Sequence, residues 1–149
     1  MRILFTKTYN LREQEIKFVR GVAGLYFIYL LDMEIPYPFQ ASRLIYIGMS
    51  ESKQNSLSMR LRGHLTGQSG NLGISNYAKN YKAKFTYYSA DVLKTYGNDN
   101  VYDLESFFLT DFLEQHGSYP ICNGQAGHQL SDDSKALSAS IDWTFFELP

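Results

Sequence analysis

The sequence contains a single cysteine, Cys122, among 149 residues. This excludes an internal disulfide framework and gives no reason to place the protein in an oxidising compartment. No apolar run approaches the roughly 18 residues that a membrane helix needs. Arg2, Lys7 and Arg12 interrupt the first residues, so nothing there is typical of a signal peptide. We therefore expect a soluble, intracellular (cytoplasmic) protein with no membrane partner.

Charged residues are also sparse, at 19% of the chain, whereas apolar residues make up 44%. This balance is typical of a globular protein and not of a disordered or fibrous one. A chain of 149 residues is long enough for one domain with a sizeable core and too short for two ordinary ones. We expect a single domain over residues 1–149.

The charges are unevenly distributed, although the net charge is only -1. Residues 1–89 hold 12 Lys and Arg against 5 Asp and Glu, and residues 90–149 hold 2 against 10. Such asymmetry favours one basic surface, suited to a phosphate-bearing partner, and one acidic surface. Alternatively, the two halves fold together and the charges mix.

Hydrophobic patterning and turn residues predict alternating strands and helices. Strands are expected at 23–31 and 42–48, with a third within 82–93. Helices are expected at 55–67 and 99–117, with shorter ones within 11–20 and 75–81. The sequence thus predicts an α/β (α+β) fold with a small, three-stranded, mostly antiparallel sheet flanked by helices.

Each of the first two strands places a tyrosine beside a glycine, as Gly24-Leu25-Tyr26 and Tyr46-Ile47-Gly48. A hairpin whose turn is centred near Pro36 would put Tyr26 opposite Tyr46, as cross-strand neighbours. The glycines remove side-chain bulk, which close approach of another backbone or a ligand requires.

Glu105 is an acidic residue on an apolar helix stripe. At about 100° per residue it falls among Val101, Phe108, Leu109 and Phe112. A carboxylate there is costly unless it is paired, hydrogen-bonded or bound to a metal. An ion pair with an arginine and a cation site at the edge of a cleft both satisfy this requirement.

Two further groups of residues are candidates for a functional surface. Arg60 and His64 are four residues apart on a predicted helix and therefore share a face. The segment 76–88 interleaves lysines with tyrosines, so that ammonium groups can meet phosphates while rings stack on unpaired bases. An amphipathic strand with a solvated lysine face explains that segment equally well. The basic residues that we expect to contact nucleic acid are Arg62, Lys79, Lys82 and Lys84.

Taken together and in this order, the two tripeptides, the Arg60–His64 helix, Glu105 and Asn123 resemble the GIY-YIG nuclease family. The resemblance covers about residues 22–125 and leaves 126–149 as a C-terminal extension. It implies a three-stranded sheet flanked by helices, and cation-dependent hydrolysis of phosphodiester bonds in DNA. Mg²⁺ or Mn²⁺, as a single ion, is the implied cofactor.

The resemblance also implies roles for individual residues. Tyr26 and Tyr46 would be the motif tyrosines, Arg60 the phosphate-binding arginine, His64 the aromatic or histidine residue one turn later, and Glu105 the metal ligand. Asn123 matches an asparagine that often follows the glutamate helix. We expect one of the two tyrosines to orient or deprotonate water, with a pKa lowered by its cationic surroundings, and His64 to relay a proton.

Three departures from the family pattern indicate which branch of the family the chain resembles. The connection between the tripeptides is long, as is the run from Glu105 to Asn123, and Met49 stands where excision-repair members carry lysine. These features favour the homing, restriction or stand-alone branches. Two alternatives to a nuclease stay open: an inactive nucleic-acid-binding domain on the same scaffold, and a structural module with a buried Tyr26–Arg60–Glu105 network.

Overall fold

A four-stranded antiparallel sheet lies at the centre of the computed structural model, which describes residues 2–97, 100–124 and 139–149. Within these residues the strands are β1 (Arg2–Ile3), β2 (Tyr9–Asn10), β3 (Gly24–Leu30), β4 (Leu44–Ser50), β5 (Ala83–Ser89) and β6 (Ser140–Ile141). The four-stranded sheet has the order β2-β5-β3-β4. The mixed α/β class is confirmed. The sheet has one strand more than predicted, because a two-residue strand such as β2 is too short to show any alternation.

The helices are α1 (Glu13–Ile16), α2 (Leu57–Thr66), α3 (Leu72–Asn80), α4 (Ala90–Leu93) and α5 (Val101–His116). Short 3-10 turns follow α1 and α4, and another spans Trp143–Phe146. α2 and α5 both end at a glycine with positive φ, Gly67 and Gly117, which closes a helix without a Cβ clash. Asn100 caps the start of α5, and its side-chain oxygen accepts from two backbone N–H groups of the first turn. None of the described helices is long and apolar enough to span a membrane.

Helices cover both faces of the sheet. All seven residues of β3 are buried, because this strand lies between β4 and β5 and is covered on both sides. Phe27 points towards α5, and its ring centroid is 5.4 Å from that of Phe108. Tyr26, the next residue in an alternating strand, points to the opposite face, where α2 packs. The sheet therefore separates α2 from α5.

The pairing of β3 with β4 corrects the predicted register. Tyr26 lies opposite Gly48, and Tyr46 lies opposite Ile28. The ladder shifts register directly after Ile28, so the turn is not centred on Pro36. A displacement of two residues keeps every side chain on the same face. Tyr26 and Tyr46 are therefore diagonal neighbours on one face and not a directly opposed pair.

The two motif glycines relieve two different close approaches. Gly24 has φ +151°, and a Cβ there would lie 2.9 Å from Ser89 Cα in the neighbouring strand. This agrees with the predicted approach of another backbone. A Cβ at Gly48 would lie 2.7 Å from Cε1 of Tyr26 and still closer to its Cζ and Oη. Gly48 thus makes room for the Tyr26 ring.

The C-terminal residues return to the body of the protein. β6 pairs with β1 in a small parallel sheet, and Arg2 forms a 3.1 Å ion pair with Asp142. Phe146 is fully buried against Phe5 and Phe27. Residues 126–138 of the proposed extension lie outside the described residues.

Candidate active site

Tyr26 lies at the bottom of the site, where it is 2% exposed. Its Oη is 2.7 Å from Nε2 of His64 on α2, and the two atoms share a hydrogen bond. The other ring nitrogen of His64, Nδ1, lies 2.9 Å from Oγ of Ser69, just beyond the helix. His64 is itself 5% exposed. A hydrogen-bonded chain therefore runs from the exposed residue Ser69 through His64 to the buried phenol.

Tyr46 lies beside this pair but is only half-buried. Its ring centroid is 5.9 Å from that of Tyr26 and 5.1 Å from that of His64, which it meets edge to face. Tyr46 lines two clefts. Of the two motif tyrosines, Tyr46 is therefore the one that solvent and a substrate can reach.

Arg60 lies on α2 one turn before His64, and its side chain is exposed. With Tyr26, Tyr46 and His64 it lines the smaller cleft, of about 290 Å³. The expectation that Arg60 and His64 share a helix face is confirmed. A guanidinium at the mouth of a cleft is placed to bind an anionic group through its planar fork.

Glu105 lies on α5 and lines the larger cleft, of about 490 Å³, together with Tyr46. The apolar residues around it on the helix, Leu104, Phe108 and Leu109, are buried. Glu105 is only partly buried, whereas Glu114 further along the helix is exposed. The carboxylate on the apolar stripe thus faces an opening at the edge of the core.

Asn123 also lines the larger cleft, but both ends of its amide are bonded to one residue of the edge strand. Ile47 N–H donates to Oδ1 at 2.8 Å, and Nδ2 donates to Ile47 O at 2.8 Å. Cys122 N–H donates to Ile45 O at 2.9 Å. The chain at 122–123 therefore continues the hydrogen bonding of the sheet beyond β4. These bonds fix the orientation of the Asn123 amide.

Asn71 is a site residue that the sequence reasoning missed. It caps α3 by accepting from Ile74 N–H, and its Nδ2 donates to Cys122 O at 2.9 Å. It lines both clefts, as Tyr46 does. An asparagine before a helix is an ordinary capping signal. Its position between the two clefts depends on the bond to residue 122, which is far away in sequence.

The two clefts adjoin through Tyr46 and Asn71. The structure therefore brings five predicted residues to one region: Tyr26, Tyr46, Arg60, His64 and Glu105. Their charges act on one another as well, because Arg60 lowers and Glu105 raises the pKa of both phenols. Residues from two strands and two helices thus share one electrostatic environment.

The pKa values of the two phenols differ from the sequence expectation. Burial raises the pKa of Tyr26 well above its ordinary value, and the neighbouring Tyr46 adds to this shift. Burial, followed by the charge of Glu105, also raises the pKa of Tyr46, while hydrogen bonding to Tyr26 lowers it. The predicted fall in phenol pKa is therefore wrong for the protein without a cation, because desolvation outweighs the effect of Arg60.

Burial lowers the pKa of His64 to about 4, and the charge of Arg60 acts in the same direction. The imidazole is therefore neutral at physiological pH, with one nitrogen that donates and one that accepts. Such a ring can accept a hydrogen bond at one nitrogen and donate one at the other, so it can link Ser69 to Tyr26.

The basic residues predicted to contact nucleic acid lie away from the clefts. Arg62 bonds Glu13 of α1 at 2.6 Å. Lys79 is exposed at the end of α3, and Lys82 is exposed in the connection to β5. Lys84 is half-buried on β5, opposite Tyr29 of β3. None of the four is among the described residues that line either cleft.

The donor chemistry of the larger cleft fits a hard divalent cation. Glu105 offers carboxylate oxygens, and the cleft has room for water and a substrate phosphate, which complete the coordination of Mg²⁺ in many sites. Within the described residues there is no group of three or more His, Cys, Asp or Glu side chains able to hold a metal. A site here would thus depend on Glu105 and on ligands from substrate and water.

Comparison with protein-family models, with curated proteins and with solved structures finds no match for this chain. The function of this chain is therefore inferred from the site itself.

Proposed function

We propose that this protein is a divalent-cation-dependent endonuclease of the GIY-YIG type, which hydrolyses phosphodiester bonds in DNA. The observation that carries the proposal is the position of Tyr46, a half-buried phenol between two adjoining clefts. One cleft is lined by Arg60 and His64, and the other by Glu105. A base, an anion-binding group and a metal-binding carboxylate are the groups that phosphodiester hydrolysis needs.

The hydrogen-bond chain supports Tyr46, and not Tyr26, as the group that activates water. We assign His64 the Nε2–H tautomer, so that Ser69 donates to His64, His64 donates to Tyr26, and Tyr26 donates to Tyr46. Each donor stabilises negative charge on the group that accepts its hydrogen bond. Hydrogen bonding to Tyr26 indeed lowers the pKa of Tyr46. The negative charge that Tyr46 carries as a phenolate, before it takes a proton from water, is thereby stabilised along the chain, and the hydroxide that forms attacks the phosphorus.

Arg60 binds the scissile phosphate in this scheme. Its exposed guanidinium at the mouth of the smaller cleft forms paired hydrogen bonds to phosphoryl oxygens and stabilises charge in the transition state. Its positive charge also lowers the pKa of Tyr46. Glu105 would hold Mg²⁺ or Mn²⁺, which when bound neutralises phosphoryl oxygens and makes water more acidic.

Substitution of the carboxylate tests the proposal. Glu105→Gln keeps the side-chain volume and removes the charge, so we expect cutting of plasmid and single-stranded DNA to fall by at least about a hundredfold. Glu114→Gln, on the exposed part of the same helix, is the matched control and should cut like the unmodified protein. Both are assayed with Mg²⁺ and Mn²⁺, with and without chelator. Cutting that persists in Glu105→Gln or in chelator contradicts the proposed function.

Thermal melting distinguishes this site from a structural network. A binding carboxylate at the edge of a cleft is not required for folding, so Glu105→Gln should melt close to the control variant. A buried structural network predicts instead a large loss of stability in Glu105→Gln.

An inactive DNA-binding domain on the same scaffold is the second candidate. Its support is the raised pKa of both phenols, which leaves neither Tyr26 nor Tyr46 ionised at neutral pH before a cation binds. It predicts DNA binding without cutting in any metal.

A further inference from the structure

A row of aromatic side chains lies one strand away from Tyr26, on the same face of the sheet. Tyr87 of β5 is the direct cross-strand partner of Tyr26, so the two side chains point to one face. Tyr9 of β2 continues the row, with its ring centroid 6.0 Å from that of Tyr87. Phe18 lies next to Tyr9, and their ring centroids are 6.2 Å apart.

The outer end of this row is open to solvent. Phe18 is 61% exposed, and Tyr9 and Tyr87 are half-buried. Lys7 approaches the inner end, with Nζ 3.3 Å from Tyr87 Oη and 4.7 Å from the ring centroid. Lys7 and Tyr87 also line a separate cleft of about 210 Å³. We call Lys7, Tyr9, Phe18 and Tyr87 the aromatic platform.

The charges around the aromatic platform favour a polyanion. Within the described part of the chain, Lys7, Lys17 and Arg20 form no ion pair with a carboxylate. The two nearest acidic residues along the chain, Glu13 and Glu15, are already paired with arginines at 2.6 Å and 2.7 Å. The neighbourhood is therefore left with uncompensated positive charge.

We propose that the aromatic platform binds a single-stranded stretch of DNA, with unpaired bases stacked on Phe18 and Tyr9 and phosphates at Lys7 and its neighbours. Aromatic rings accept bases of any sequence, and cations beside them follow the backbone. A paired duplex cannot offer its base faces to the rings. The inference rests on the proposed function, since it names unpaired DNA as part of the substrate, and it adds a binding site outside the clefts.

Three variants test the aromatic platform by binding alone, in chelator, so that cutting does not enter the measurement. Fluorescence anisotropy gives the Kd for a labelled 20-nucleotide oligo-dT and for a blunt hairpin duplex. Phe18→Leu keeps an apolar side chain without a π face and should weaken oligo-dT binding by between about fivefold and a hundredfold. Phe18→Tyr keeps the ring and should bind within about twofold of the unmodified protein. Phe39→Leu is the matched control, because Phe39 is 73% exposed in the connection between β3 and β4.

Salt dependence supplies a second measurement. Lys7→Gln removes one phosphate contact, so the slope of log Kd against log salt for oligo-dT should fall by about 0.7. An unchanged slope overturns the role of Lys7. The aromatic platform is overturned if Phe18→Leu binds oligo-dT as tightly as Phe39→Leu does. It is also overturned if Phe18→Leu loses as much affinity for the hairpin duplex as for oligo-dT. A dimer in sedimentation that Phe18→Leu dissociates also overturns it, because the rings then bind a second copy.

The two proposals can fail separately. Cutting without any effect of Phe18→Leu on binding removes the aromatic platform and leaves the nuclease. Phe18-dependent binding without cutting in Mg²⁺ or Mn²⁺ removes the nuclease and leaves the aromatic platform.

Discussion

Gly48→Ala is expected to damage the site through the fold. The added Cβ would lie 2.7 Å from Cε1 of Tyr26 and nearer still to the end of that ring. The ring has no free space to move into, because Tyr26 is 2% exposed and packs against Tyr46 and His64. Either the ring leaves its place and its 2.7 Å bond to His64 is lost, or β4 moves away from β3.

The magnitude follows from three terms. Overpacking a core position costs about 1–3 kcal/mol. Loss of a buried hydrogen bond such as Tyr26–His64 costs about 0.5–1.5 kcal/mol. Replacing a strand glycine by alanine stabilises the protein by about 0.5–1 kcal/mol, because alanine lowers the conformational entropy of the unfolded chain. The net loss in the free energy of unfolding should be about 2 kcal/mol.

Gly63→Ala is the matched control, because the same methyl group is added without a clash. Gly63 lies in the middle of α2, and a Cβ there meets Ser69 Cβ at an ordinary 3.7 Å. This variant should gain about 0.5–1 kcal/mol. Urea unfolding followed by circular dichroism measures both variants. Equal stability of Gly48→Ala and Gly63→Ala would refute the argument that Gly48 is required by the Tyr26 ring.

Two further predictions concern protons. The pKa of His64 is about 4 in the folded protein against an ordinary 6.5, so the unfolded chain takes up a proton there first as pH falls. The free energy of unfolding should therefore fall by about 2–3 kcal/mol between pH 7.5 and 4.5 because of this residue. Urea unfolding of His64→Gln should show a correspondingly smaller fall over the same pH range. An equal fall contradicts the lowered pKa of His64. Tyr46 acts as a base only when ionised, and its pKa is raised, so the cutting rate should rise about tenfold per pH unit from about pH 6.5 to 9.5. A rate that does not change with pH, or Tyr46→Phe that cuts normally, contradicts Tyr46 as the base.

The helices and strands were largely predictable from the sequence because their signals are local. Capping residues and terminal glycines fixed α2 and α5 to within about two residues. Helical periodicity also placed Glu105 on the apolar stripe of its helix, whereas its partial exposure at a cleft depends on the tertiary structure. The register of β3 and β4 was missed because it depends on how the connection between them is folded. The short strand β2 was missed because its only strong signal is the partner it pairs with.

The order of residue types along the chain determined the candidate chemistry: two tyrosines beside glycines, an arginine one turn before a histidine, and a carboxylate in an apolar stripe. Only the tertiary structure decided which tyrosine is accessible, because burial depends on α2, which packs over Tyr26 and leaves Tyr46 at the edge of the sheet. It also decided that the amide of Asn123 is bonded to the edge strand, and that Phe18, Tyr9 and Tyr87 form one row. Such contacts join residues far apart in sequence, and no local pattern specifies them.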